Sequence, residues 1–277
     1  MSNIPSSLLD HQRRFLTELI AQISTDNRFM GLALSGSAAE NKVDRFSDLD
    51  LVIAVVPSQV ELVMQQREAI AANLGTLVAC ATGEHVGEPR LLICLFDTVE
   101  PLHVDLKFVS IEDAHQRVDN PLILWEIDNC LSHIYEQGEG HYPIHSPQWF
   151  EDRFWIWMHY GVTKVARGEL YEALDFVSFI RQTVIGPLGM FNSGFEPNGL
   201  RKIEFKLPKL SQKLVKTVAQ NDKKSLFVAL ETLAEIYISL RQAHIEQLEL
   251  KDAAQQLAMT YLYKEASTKK LRSELKK

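Results

Sequence analysis

Apolar positions change their period part-way along the chain. In residues 6–23, Leu8, Leu9, Phe15, Leu16, Leu19, Ile20 and Ile23 recur at helical intervals, which predicts a helix with one face for a sheet. Phe29-Met30-Gly31-Leu32-Ala33-Leu34 and Leu51-Val52-Ile53-Ala54-Val55-Val56 are short, continuous apolar runs and read as buried strands. Between the second run and Asn73 lies a predicted helix opened by Pro57 and Ser58, with Ser58 and Glu61 in capping-box relation and Gly75 closing it. Strands are expected over 76–80 and 91–96, separated by the breaker-rich stretch 83–89. Residues 103–109 alternate, with Val104, Leu106 and Phe108 on one face and His103, Asp105 and Lys107 on the other. With the turn at 97–101, the strands 91–96 and 103–109 form an expected antiparallel hairpin, for about five strands in all.

From Ser146 and Pro147 onward the pattern is helical, proline being well placed just inside a helix start. Trp149, Phe150, Phe154, Trp155, Trp157, Met158 and Tyr160 crowd one helix, and aromatic bulk at that spacing usually packs a core. Arg167, Gly168 and Glu169 break it. Further helices are expected over 208–219, 224–248 and 251–270, so the second half reads as a helical bundle. Residues 186–208 carry Gly186, Pro187, Gly189, Gly194, Pro197 and Gly199, and read as a non-helical connector or a loop at a binding mouth. The expected fold is α+β: a mixed sheet with flanking helices over 1–140 and a helical domain over 141–277.

Composition narrows the function classes. With 277 residues, 46% hydrophobic and 23% charged, the chain suits two folded domains and excludes disorder as its main state. A net charge of -7 and a pI near 5.7 speak against a nucleic-acid track, which needs basic residues to neutralise phosphates. No apolar run approaches the roughly 20 residues of a membrane span, and residues 1–7 hold no basic stretch leading into an apolar one. A cytoplasmic protein with no nucleic-acid or membrane partner is expected. Cys80, Cys94 and Cys130 have no metal-ligand spacing and read as buried reduced thiols. Residues 264–277, with six Lys or Arg against two Glu, read as the solvated end of the last helix.

The chemistry concentrates where the first strand ends. Ser35, Gly36 and Ser37 follow it, and a glycine there lets backbone N–H groups approach an anion while serine hydroxyls add donors. Ten residues later, Ser47-Asp48-Leu49-Asp50 enters the second strand, and alternation puts the Asp48 and Asp50 carboxylates on one side. Two such acids repel unless a cation lies between them, and an oxygen-only pair suits Mg²⁺, which takes its other ligands from water and substrate phosphates.

Gly36 and Ser37, ten residues, then Asp48-x-Asp50 resembles the signature of the polymerase β-like nucleotidyltransferase superfamily, which includes antibiotic-modifying adenylyltransferases. The resemblance covers the first 110 residues well. It implies Mg²⁺-assisted transfer of a nucleoside monophosphate, AMP from ATP being the expected case, to a hydroxyl of a small-molecule acceptor. It also implies a third carboxylate on a later strand. Asp105, on the polar face of 103–109, is the candidate, as third metal ligand or as general base. Gly36, Ser37 and Ser47 are the implied nucleotide-binding residues beside Asp48 and Asp50.

In the helical half, Lys164 is either a point charge for the triphosphate or a lysine snorkelling at the surface. Glu169, Glu172 and Asp175 recur three apart and so lie near one helical face. By analogy with the antibiotic adenylyltransferases, whose helical domain supplies acidic residues to the acceptor, they are candidate acceptor contacts; a solvated face is the alternative. Two other functions stay open: a protein-modifying or non-catalytic, antitoxin-like module on the same fold, and a ribonuclease, since Arg153 and His159 resemble the Arg-x5-His spacing of helical nucleases.

Overall fold

The computed structural model describes residues 4–267. The basic end expected over 264–277 therefore lies mostly outside the described residues. The chain divides into two compact units, Met1–His141 and Tyr142–Lys277. The fold is α+β, a mixed sheet with flanking helices followed by a helical region.

The first unit runs α1 (Asp10–Ile23), β1 (Phe29–Leu34), α2 (Gly36–Ala39), β2 (Leu49–Val55), α3 (Val60–Ala72), β3 (Leu77–Gly83), β4 (Glu88–Phe96), β5 (Leu102–Ser110), β6 (Leu122–Glu126) and α4 (Cys130–Tyr135). The six strands lie in the order β3-β4-β5-β2-β1-β6. β2 and β5 pair in parallel, and the other neighbours are antiparallel. The two sheet faces differ. Leu51, Ile53, Val104, Leu106 and Phe108 pack with Phe15, Leu16 and Leu19 of α1 and Val63 of α3, all buried. On the opposite face a smaller cluster gathers Ala33, Ala54 and Val109 beneath Leu131 of α4. Period-2 alternation alone divides residues this way, because a strand sends successive side chains to opposite faces.

Three local expectations change in this unit. A sixth strand, β6, pairs with β1, so the sheet is one strand wider than expected. Leu122-Ile123-Leu124-Trp125, an apolar run directly after the breakers Asn120 and Pro121, is strand-like by itself, and pairing with β1 fixes it as a strand. At Pro57 the chain makes a 3₁₀ turn, Pro57–Gln59, and α3 begins at Val60 with no side-chain cap, so the Ser58–Glu61 capping box does not form. The third strand extends past residue 80 to Gly83, where its register slips against β4.

The second unit runs α5 (Pro147–Arg167), α6 (Leu170–Ile180), α7 (Gly186–Asn192), α8 (Ile203–Lys206), α9 (Pro208–Leu214), α10 (Lys223–Arg241) and α11 (Asp252–Ala266). Ser146 caps α5 by accepting the Trp149 N–H, and Gly168, at φ +85°, ends it in the left-handed conformation that glycine tolerates best. Phe150, Phe154, Trp155 and Met158 are buried with Leu230, Leu233 and Tyr237 of α10.

A carboxylate sits inside this core. Fully buried Glu151 accepts bonds from Arg241 Nη1 (2.8 and 3.0 Å), Tyr237 Oη (2.7 Å), Trp155 Nε1 (3.2 Å) and the Lys251 N–H (3.0 Å). Burial pushes the Glu151 carboxyl up, but bonds from Lys251, Tyr237 and Arg241 outweigh it and hold the carboxyl below its ordinary value.

The stretch 186–208 is non-helical mainly in its middle, over 193–202; its two ends, Gly186–Asn192 and Ile203–Lys206, are helical where the breakers suggest a loop. Helix continues from α6 through a π turn, Arg181–Ile185, in which the Gly186 N–H reaches Arg181 O, and α7 follows. Pro187 stands in the first turn of the new segment, where its missing N–H costs little. Gly186 is there for space: a Cβ would lie 2.2 Å from Gly199 O. Helix α10 stops at Arg241, short of the expected 248, and Gln242–Gln247 is a 3₁₀ turn.

Candidate active site

The apolar run of β1 drives its backbone into the sheet as far as Leu34, after which Ser35 is still extended (φ -108°, ψ -175°). The Ser35 N–H donates to Asp50 O (2.8 Å), tying the end of β1 to the start of β2. Gly36 then turns the chain at φ +63°. A Cβ at Gly36 would lie 2.3 Å from Asp50 Oδ2, so only glycine lets that carboxylate rest against the turn. Conformation and space both demand the same residue.

Asp50 has a partner position on the neighbouring strand. In the parallel pair of β2 and β5, Asp50 is in register with Asp105, so both side chains project from the same sheet face on adjoining strands. His103 Nε2 and Asp105 Oδ1 lie 2.9 Å apart. Farther along this face Lys107 Nζ meets Glu88 (2.8 Å), which Arg90 also holds (2.7 Å). The Arg90 guanidinium and then the Lys107 ammonium hold the Glu88 carboxyl down at about 2.

Asp48 precedes β2 and is partly buried. Its neighbour Ser47 is occupied locally: its Oγ accepts the Asp44 N–H (2.9 Å) and donates to Asp44 Oδ1 (3.2 Å). Buried Gln12 of α1 donates to Ser47 O (2.9 Å), pinning the acidic segment to the first helix.

The donor set fits a hard cation. Asp48 just ahead of β2, Asp50 at its start and Asp105 beside it offer oxygen alone, and Mg²⁺ needs only one or two of these carboxylates when phosphates and waters complete its shell. Among the described residues, no group of three or more His, Cys, Asp or Glu is drawn together into a ready-made cage.

A protein-family model for streptomycin adenylyltransferase matches residues 11–265. The chain belongs to that family. It is therefore a nucleotidyltransferase, as the Gly36 to Asp50 signature implied. Among solved structures, an aminoglycoside 6-adenyltransferase from Bacillus subtilis is similar at 17% identity and TM-score 0.43, covering 94% of this chain and 100% of that one. A nucleotidyltransferase-like protein from Exiguobacterium sibiricum is similar at 11% identity and TM-score 0.39, covering 82% and 74%. No curated protein sequence matches the chain.

Within this adenylyltransferase-family chain, the candidates of the helical unit form a second cluster of their own. Lys164 Nζ is held by Glu169 (2.7 Å) and Glu172 (2.9 Å) and lies 4.9 Å from the Tyr160 ring centre. Bonds to Glu169 first, then Glu172, raise its pKa. The lysine proposed for phosphate and two acids proposed for the acceptor are thus one ion-paired group. Tyr160 donates to Glu172, and Glu172 and Asp175 edge a groove of about 540 Å³ floored by Trp157, Phe176 and Phe179.

Arg153 and His159 are taken up separately. The guanidinium lies 4.3 Å from the Trp149 ring centre, and the imidazole stacks on Tyr261.

Sequence reasoning missed Asp119. Its Oδ2 accepts from the Ser35 hydroxyl and from the Gly36 N–H (3.4 Å). The only local signal was a turn-forming Val118-Asp119-Asn120-Pro121, which says nothing about a partner 83 residues away.

Proposed function

We propose that the chain transfers AMP from ATP, with Mg²⁺, to a hydroxyl of an aminoglycoside-type antibiotic. The observation that carries this reading is the register of Asp50 and Asp105 beside a turn that only Gly36 can make. The matching family model, named for streptomycin adenylyltransferase, supports the acceptor class. So does a net charge of -7, since an acidic protein draws in a polycationic acceptor.

In this reading the Gly36 N–H and the Ser35 and Ser37 hydroxyls receive the phosphate chain. Asp48 and Asp50 would hold Mg²⁺, which when bound offsets phosphate charge and stabilises the attacking and leaving oxygens. Asp105, fixed by His103, receives the acceptor's hydroxyl proton as that oxygen bonds to the α-phosphorus. The bond from the α-phosphorus to the bridging oxygen breaks, and pyrophosphate leaves. Glu172 and Asp175 edge an aromatic groove within the helical unit, and their carboxylates suit a cationic ligand there.

The test is transfer of label from α-³²P-ATP, with Mg²⁺, to a panel that includes streptomycin. Label on the drug is expected with the wild type, and a loss of 10³-fold or more is expected for Asp50→Asn and Asp105→Asn. Label on polypeptide alone, or full activity in both variants, would refute the proposal.

A further inference from the structure

The Ser35 hydroxyl and the Gly36 N–H converge on one atom, Asp119 Oδ2. A single anionic oxygen accepting two such donors takes the position that a phosphate oxygen needs at this turn. Gly36 is thereby wedged between two carboxylates, Asp50 against its Cα side and Asp119 at its N–H.

The two acids are held differently. Asp50 belongs to a central strand, whereas Asp119 belongs to the turn between β5 and β6, which has its own anchorage. Asn120 Oδ1 accepts the Gly140 N–H (2.8 Å), Arg117 donates to Tyr135 O (3.0 Å) and Gly138 O, and the His141 N–H donates to Arg117 O (3.0 Å). A Cβ at Gly140 would come within 2.1 Å of Asp119 O, so the two backbones are in close contact. These bonds hold the backbone of the turn and do not involve the Asp119 side chain.

We infer that Asp119 is a specificity-determining residue: its carboxylate stands in for a phosphate oxygen on Ser35 and Gly36, and the triphosphate must displace it. The inference rests on the reading that this turn receives the triphosphate. Its consequence is selectivity among anions. A lone phosphate competes with a carboxylate already attached to the protein, while a metal-bound triphosphate has further contacts with which to win the same donors.

Calorimetric titration of the full chain with ATP plus Mg²⁺, and separately with inorganic phosphate, tests this. Asp119→Ala is expected to bind ATP at least fivefold more tightly than wild type and to gain measurable binding of inorganic phosphate. Asp119→Asn, which keeps an accepting oxygen and loses the charge, is expected between the two and carries the test if the alanine variant fails to fold. ATP binding by the variants alone would also support the inference. Wild-type binding that the variants leave unchanged or weaken overturns the stand-in role and leaves the proposed function intact. Absence of binding by every protein overturns both.

Discussion

Substituting Gly36→Ala adds one methyl group at the point where the turn meets Asp50. Two costs follow from the structure. The backbone at φ +63° is unfavourable for an L-residue with a side chain, by about 1–2 kcal/mol. The new Cβ would begin 2.3 Å from Asp50 Oδ2, and an ordinary contact starts at 3.4 Å, so the carboxylate must retreat by about 1.1 Å. Misplacing a reacting group by about 1 Å costs on the order of 10²-fold in rate, close to 2.7 kcal/mol of barrier. Initial rates of pyrophosphate release, with Mg²⁺, ATP and streptomycin saturating, measure the effect, while urea unfolding measures stability. The expected result is a protein about 1–3 kcal/mol less stable and some hundredfold slower. Combined with Asp50→Asn, the alanine should add little, because both act through one carboxylate. A stable variant turning over within twofold of wild type would refute the link between Gly36, the placement of Asp50 and catalysis.

Glu151→Ala leaves the Arg241 charge and the Tyr237 hydroxyl in the core without their acceptor, and a loss of about 3–5 kcal/mol in urea unfolding is expected; less than 1 would show the network to be solvated. Gly161→Ala brings a Cβ to 2.3 Å from Phe176 Cε1 where α5 crosses α6, which predicts about 1–3 kcal/mol of overpacking, eased by a second change, Phe176→Leu. Glu88 has its pKa depressed to about 2, so its stabilisation is complete above the ordinary value of 4.5 and fades as pH falls towards 2. With its side chain 23% exposed, solvent screening reduces the contribution to about 1–2 kcal/mol. Wild type should exceed Glu88→Gln by that margin at pH 7 and by almost nothing near pH 2; a gap that persists in acid would count against the ion pair.

Much of the fold was legible because its signals are local. The continuous apolar runs that became β1 and β2, the alternation along β5, and the proline just inside α5 each depend on neighbours a few residues away. Breakers misled at Gly186 and Pro187, where a π turn and the approach of Gly199 gave both residues a place within helix. The apolar run 122–125 of β6 carried a strand signal too short to tell strand from buried helix, and pairing with β1 decides between them.

The candidate site divides along the same line. Local spacing singled out Gly36 and Asp50, and alternation singled out Asp105, because a strand's period of two is written in consecutive residues. Only the tertiary structure put Asp105 in register with Asp50, set Asp119 on the donors of the Gly36 turn, fastened Ser47 to Gln12 and closed Lys164 onto Glu169 and Glu172. Register, and contacts between elements distant in the chain, follow from how the core packs as a whole, and no short window of sequence holds that information.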